Sequence, residues 1–243
     1  MFKSVIKLAT LLFLVTFSLS YAQSTVRTGE MIISASPGEI MEADAMSFNS
    51  IIGKDAIIEW EVYVPEDYDP TNPPGIMVFA GAPQNERAPF GWMSVMKDKN
   101  LIWVAARKSG NAATFVQKEL LALMSVPLIE KKYKIDAKRV YISGVGRVSS
   151  VVTMDNPDIF NGAIFTDGDL WSKNPEYKIN SILNKRFVFI TGHQGGAANV
   201  HSTRYSYNKF KDAGLKNLKL ITISPIMRYD RRRFLEAIDY LDG

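Results

Sequence analysis

From residue 56 onward the chain alternates short apolar runs with longer amphipathic stretches. The runs fall at 56–64, 76–80, 101–106, 140–143, 162–165, 187–190 and 218–223. The first, AIIEWEVYV, alternates apolar and polar residues, as a strand with one wet face does; the others are nearly unbroken. Unbroken apolar runs of strand length suit parallel strands, because helices cover both faces of a parallel sheet and neither face meets water. Before residue 56 only 31–34 carries a strand signal, and 65–74 is polar turn chemistry rich in Pro, Asp and Asn. Between the runs lie segments of helical length. In 114–132, Phe115, Leu120, Leu121, Met124, Leu128 and Ile129 gather on one side, and Pro127 is expected to kink or shorten the helix. Further helices are predicted after Arg147, over 201–213 with Gly214 as the C-terminal stop, and over 230–241. Strand and helix in alternation require right-handed crossovers. The expected fold class is α/β, a three-layer, doubly wound, mostly parallel sheet.

Composition narrows the picture. With 243 residues, 47% hydrophobic and 22% charged, the chain suffices for one domain with a sizeable core, expected over residues 23–243. Residues 1–22 read as a signal peptide. Lys3 and Lys7 precede the apolar run 11–19, and Ser20-Tyr21-Ala22 sets small residues at the −3 and −1 positions of a cleavage site. That run is shorter than the roughly 20 residues of a membrane-spanning helix, so no stable membrane insertion is expected after cleavage. The absence of cysteine excludes disulfides, thiolate metal sites and a lipid-bearing cysteine anchor. Such a chain must live on its core, and the expected location is the bacterial periplasm or the medium. Without the two leader lysines, the 29 basic residues become 27 against 25 acidic, and no nucleic-acid partner is expected. The one basic cluster, Arg228 with Arg231, Arg232 and Arg233, reads as a solvated face, with an anion site as the alternative.

Candidate chemistry gathers where strands end, because open α/β sheets bind ligands beyond their carboxyl edge. His193 follows Gly192 at such an end, and Asp167 and Asp169 flank Gly168 after another. The two carboxylates suit a polar patch or general acid–base work, and equally plain turn chemistry. Phe90, Trp92 and Trp171 fall in predicted loops facing the cleft, where they would form a stacking platform, a lid or core packing. Trp92, Asp167, Asp169, Trp171 and His193 are therefore the candidate ligand-binding residues. The only two histidines, His193 and His201, lie in different segments without an acidic partner at ligand spacing, so no metal is expected. There is neither a G-x-G-x-x-G nor a Walker loop, and no cofactor is expected.

Three separated motifs carry a resemblance: Tyr63-Val-Pro-Glu-Asp-Tyr68; Lys131-Lys-Tyr-Lys-Ile-Asp136 followed by Arg139-Val-Tyr-Ile-Ser-Gly144; and Pro157-Asp-Ile-Phe-Asn-Gly-Ala-Ile164. In this order they are similar to the esterase and polyhydroxybutyrate-depolymerase-like branch of the α/β-hydrolases, over about residues 57–242. The resemblance implies an α/β-hydrolase-like sheet and carboxylic-ester hydrolysis by a Ser-Asp-His triad, with the serine on a G-x-S-x-G turn between strand and helix. At each implied position this chain departs from the pattern. Gly146 stands in place of the serine, in Gly144-Val145-Gly146-Arg147-Val148. Gln194 or Gly195 stands in place of the acid, and Tyr229 in place of the histidine. Ala80-Gly81 replaces the His-Gly pair of the oxyanion loop, and the segment from Gly144 to Pro157 is about three residues short of the family's elbow.

Loss of a triad serine or histidine typically costs about a million-fold in turnover. The expected function is accordingly non-catalytic, the binding of a small molecule or protein partner in or near the former cleft. Two alternatives stand beside it. One is a serine esterase-like hydrolase with a site displaced to Ser143, Ser149 or Ser150, or rebuilt around His193, Asp167 and Asp169. The other is a structural interaction domain with a filled cleft.

Overall fold

The computed structural model describes residues 26–41, 49–80, 88, 91–110, 112–145, 147–166, 179–192, 196–223 and 230–243. Eight strands form one sheet: β1 (Gly29–Ala35), β2 (Ile58–Val64), β3 (Gly75–Ala80), β4 (Leu101–Ala106), β5 (Val140–Val145), β6 (Gly162–Thr166), β7 (Arg186–Gly192) and β8 (Leu218–Ile223). Their order is β1-β2-β4-β3-β5-β6-β7-β8. β2 runs antiparallel to both of its neighbours, and β3 to β8 are mutually parallel. Each apolar run lies on a strand, and β3, β4 and β6 are buried along their whole length. This is the doubly wound, mostly parallel α/β architecture.

Among the described residues seven helices complete the layers: α1 (Pro37–Met41), α2 (Trp92–Asp98), α3 (Phe115–Glu130), α4 (Arg147–Asp155), α5 (Ile179–Ile182), α6 (Gly196–Asp212) and α7 (Arg231–Asp242). α3, α4 and α6 cover one face, and α2 and α7 the other. Alternation along each strand divides the core accordingly. Trp60, Ile142, Phe165, Phe187, Phe189 and Phe210 fill one side, while Phe79, Trp92, Trp103, Ile164, Val188 and Phe234 fill the other. Each such side chain contributes about 1.5–3 kcal/mol by leaving water. The Trp60 indole N–H, buried with its ring, donates to Ser125 Oγ at 3.1 Å, and Ser125 in turn donates to the Leu121 carbonyl at 2.9 Å.

Several local expectations change. Pro127 neither shortens nor ends α3, which continues to Glu130 after a reciprocal cap between Thr114 and Gln117; burial of its apolar side outweighs the lost backbone bond. α6 starts at Gly196, five positions before the predicted 201, because glycine and alanine there offer no amphipathic signal. It stops as expected at Gly214, which takes the left-handed φ of 100° while Leu215 N–H reaches back to the Phe210 carbonyl. α1, α2 and α5 were not predicted. Trp92 moves from a predicted loop to the first turn of α2, where it is 1% exposed and stacked on Phe234 at 3.7 Å with a 7° tilt.

Candidate functional site

The strand order reverses direction at β3 and β5. The chain leaves β3 toward β4 on one side and returns to β5 on the other. Connections depart from the carboxyl ends of two such strands in opposite directions, which leaves a crevice between them. Gly144, near the end of β5, lies so close to β3 that a Cβ would collide with the Ala80 carbonyl oxygen and come within 3.3 Å of Ser149 Cβ. Only glycine fits there. β5 ends at Val145 and α4 begins at Arg147, so the strand-to-helix junction is a single residue, Gly146, itself outside the described residues. The shortened segment implied by the resemblance thus leaves the abrupt strand-to-helix passage in place.

The hydroxyls around this crevice are buried. Ser143, Ser149 and Ser150 are each 0% exposed. Ser150 donates to the Arg147 carbonyl at 2.9 Å, a local bond of the kind expected inside a helix. Among the described residues the hydroxyls of Ser143 and Ser149 have no hydrogen-bond partner. A nucleophilic serine needs solvent or substrate access and a base within hydrogen-bond reach. His201 is exposed on α6. Thr166 at the end of β6 and Thr191 near the end of β7 are also buried, their hydroxyls without a partner among the described residues.

The other sequence candidates follow the same strand ends. Asp167, Asp169 and Trp171 come directly after β6, His193 and Gly195 after β7, and Tyr229 after β8. All six lie outside the described residues, as do Phe90, Gly81 and Gln194. The positions implied for serine, acid and histidine therefore follow β5, β7 and β8 in turn. Trp92, placed among the ligand-binding candidates, is packed inside the core beneath α7 and presents no surface to a ligand. The arginine run is largely paired: Arg231 holds Asp98 at 2.5 Å and Ser94 at 2.9 Å, and Arg233 holds Glu236 at 2.8 Å. Arg228 lies outside the described residues. Among the described residues no group of three His, Cys, Asp or Glu is placed to hold a metal ion.

One feature of this edge had no clear sequence signal. A cavity of about 450 Å³ opens beside the start of β2, the end of β4 and the start of α3, lined by Ile52, Ile57, Ile58, Arg107, Gln117 and Leu121 among others. Such a volume is ordinary for a small-molecule pocket. Its apolar wall comes from residues 51–58, whose sequence is weakly periodic. Its polar wall comes from the two residues after β4: Arg107, which faces Glu59 at 3.5 Å and Glu61 at 3.6 Å, and Lys108. Lys108 takes a φ of 59°, a left-handed conformation uncommon for a side chain of this kind and found disproportionately at functional edges.

Similarity to solved structures is confined to this architecture. The chain superposes on a thermostable esterase with a TM-score of 0.58 at 16% identity, over 88% of this chain and 60% of that one. It superposes on Est1E from Butyrivibrio proteoclasticus with a TM-score of 0.60 at 14% identity, over 89% and 100% respectively. An acylaminoacyl peptidase from Pyrococcus horikoshii gives 0.61 at 12% identity, over 90% of this chain and 42% of that one. The chain thus spans about three fifths of the first of these proteins, all of the second and less than half of the third. No protein-family model and no curated protein matches the sequence. The protein has the α/β-hydrolase fold.

Proposed function

We propose that this is an exported α/β-hydrolase-fold protein that has lost acyl transfer and binds a small molecule in the crevice between β3 and β5, with the cavity beside β4 as an extension of that site. The observation supporting this most directly is the state of the serines near the former elbow. Ser143, Ser149 and Ser150 are fully buried, the hydroxyls of Ser143 and Ser149 have no partner among the described residues, and position 146 is glycine. An oxygen that no base touches and no substrate reaches does not attack an ester. Export rests on the charged start, apolar run and cleavage triplet of residues 1–22. The purified protein, freed of residues 1–22, is expected to leave short-chain p-nitrophenyl esters at the buffer rate. Turnover abolished by substituting one serine would defeat the proposal.

The fold shared with esterases and a peptidase favours a second reading, an esterase-like hydrolase rebuilt around His193, Asp167 and Asp169. A rate that disappears in His193→Ala while Ser143→Ala and Ser149→Ala retain it would select that reading.

A further inference from the structure

At the opposite, amino edge of the sheet, a cavity of about 370 Å³ opens where β5, β6 and β7 begin. Lys138 precedes β5, Asn161 precedes β6, and Lys185 and Arg186 stand at the start of β7. Asn180 and Asn184, from α5 and the turn after it, complete this part of the lining. The topology brings these distant residues together, because β6 lies between β5 and β7 and its own contribution, Asn161, is a small amide. We propose that this cavity is a binding site for a small phosphorylated or sulfated molecule, independent of the carboxyl-edge site.

Unbalanced charge carries the argument. None of the side chains lining the cavity is a carboxylate. Lys138 has no ion-pair partner among the described residues. The Lys185 amine donates to the Phe160 carbonyl at 2.7 Å, and Arg186 Nη1 donates to the Leu241 carbonyl at 3.4 Å. Both are neutral oxygens. Asp242, the carboxylate at the end of α7, is already engaged by Arg139 and by the Tyr141 hydroxyl. Burial lowers the affinity of the Lys185 amine for its proton, with Asp158 opposing only in part. An anion beside Lys185 would offset that burial. A tetrahedral phosphate or sulfate suits the set, since the guanidinium presents a planar fork, the ammonium groups are point charges, and the asparagine amides add neutral donors. The volume exceeds a bare ion's needs and matches the lower end of small-molecule pockets, about 300 Å³ and upward.

Calorimetric titration of the intact protein with glycerol 3-phosphate and glycerol, and flotation with phosphatidylglycerol vesicles, tests this. Saturable binding of glycerol 3-phosphate is expected, with none for glycerol. Lys138→Gln, at an exposed position, and Arg186→Gln should each weaken binding by at least about tenfold, the loss of one charge-assisted contact. Retained thermal unfolding temperature in Lys138→Gln separates loss of the site from loss of the fold. Vesicle flotation abolished by the same two variants, with weak binding of the free phosphate, would assign the same chemistry to a lipid headgroup. Absence of binding to both, or binding unchanged in both variants, overturns the proposal. Neither outcome bears on the esterase question, because the two sites share no residue.

Discussion

Strand β5 begins and ends in opposite chemical conditions. At its start, Arg139 grips Asp242 through Nε and Nη2, both at 2.9 Å, and gives Nη2 to the Lys99 carbonyl at 2.8 Å, while the Tyr141 hydroxyl donates to the same Asp242 at 2.9 Å. Burial first, and then the charge of Asp242, push the Tyr141 hydroxyl far above its ordinary range. At its end, Ser143 is buried without a partner among the described residues, and so are the hydroxyls of Ser149, Thr166 and Thr191. An unsatisfied buried hydroxyl costs about 1–3 kcal/mol. One strand thus ties α7 to the sheet at its amino end and carries unsatisfied polar groups at its carboxyl end. Unsatisfied polar groups cluster where a ligand or ordered water completes them. The bonds at the amino end hold the fold; the carboxyl end borders the crevice of the proposed function.

The comparison breaks hardest at Gly144. Gly144→Ala drives a methyl into the Ala80 carbonyl oxygen, and overpacking against backbone should destabilise the protein by about 3 kcal/mol or more. Urea unfolding measures this, and a loss under about 1 kcal/mol would mean that β3 and β5 are not so closely apposed. Next is Asp242→Ala, which strands a half-buried guanidinium and a buried phenol; a loss of about 2–3 kcal/mol is expected. Arg139→Ala combined with Asp242→Ala should cost less than the sum of the two single changes, as a shared ion pair requires. At the other end the sign reverses. Ser143→Ala and Thr191→Val remove hydroxyls without a partner among the described residues, and each should be neutral or stabilising by up to about 1 kcal/mol. A loss of about 2 kcal/mol in either would reveal a partner and erase the contrast.

The smallest effect lies on the surface of α7. Hydrogen bonds from Arg233 and then Lys219 hold the Glu236 carboxyl below its ordinary 4.5. A depressed carboxyl contributes stability that is full above its unfolded value and is lost as pH falls through the folded one. The pair is about a third exposed, so Glu236→Gln should flatten the decline of stability below about pH 4.5 by no more than roughly 0.5 kcal/mol. Thermal melts at pH 3 to 6, with unchanged slopes in wild type and variant, would show that the pair contributes nothing.

The sequence was most legible where burial left one solution. β4 falls on the predicted 101–106 without a shift, because a run that excludes water on both faces has clear limits; β8 also falls on the predicted 218–223, although as the edge strand it is only partly buried. Asp230 caps α7 by accepting from Arg232 N–H at 2.9 Å, a start signal visible in the chain. α1 is held by Ser36 and Glu39 bonding each other's backbone, but its five residues are too few to show periodicity and it was not predicted. α2 gave no warning: its cap is Gly91 with φ 84° and no side-chain bond. Trp92 was misplaced for the same reason, since its burial depends on Phe234, 142 positions away. The crevice was legible only as the expectation that ligands bind beyond the carboxyl edge of the sheet; the strand order that reverses at β3 and β5 has no local signal in the chain. The cavity beside β4 depends on how residues 49–57 drape over α3, and no local pattern encodes that.

The most direct measurement is reaction of the purified protein, freed of residues 1–22, with a fluorophosphonate, followed by intact-mass analysis and peptide mapping. A serine activated by a histidine is captured one to one, whatever ester it prefers. The expected result is an unmodified mass after prolonged exposure, with the fold intact by circular dichroism. A stoichiometric adduct mapped to Ser143, Ser149 or Ser150 would contradict the loss of acyl transfer, and would require the buried carboxyl end of β5 to open.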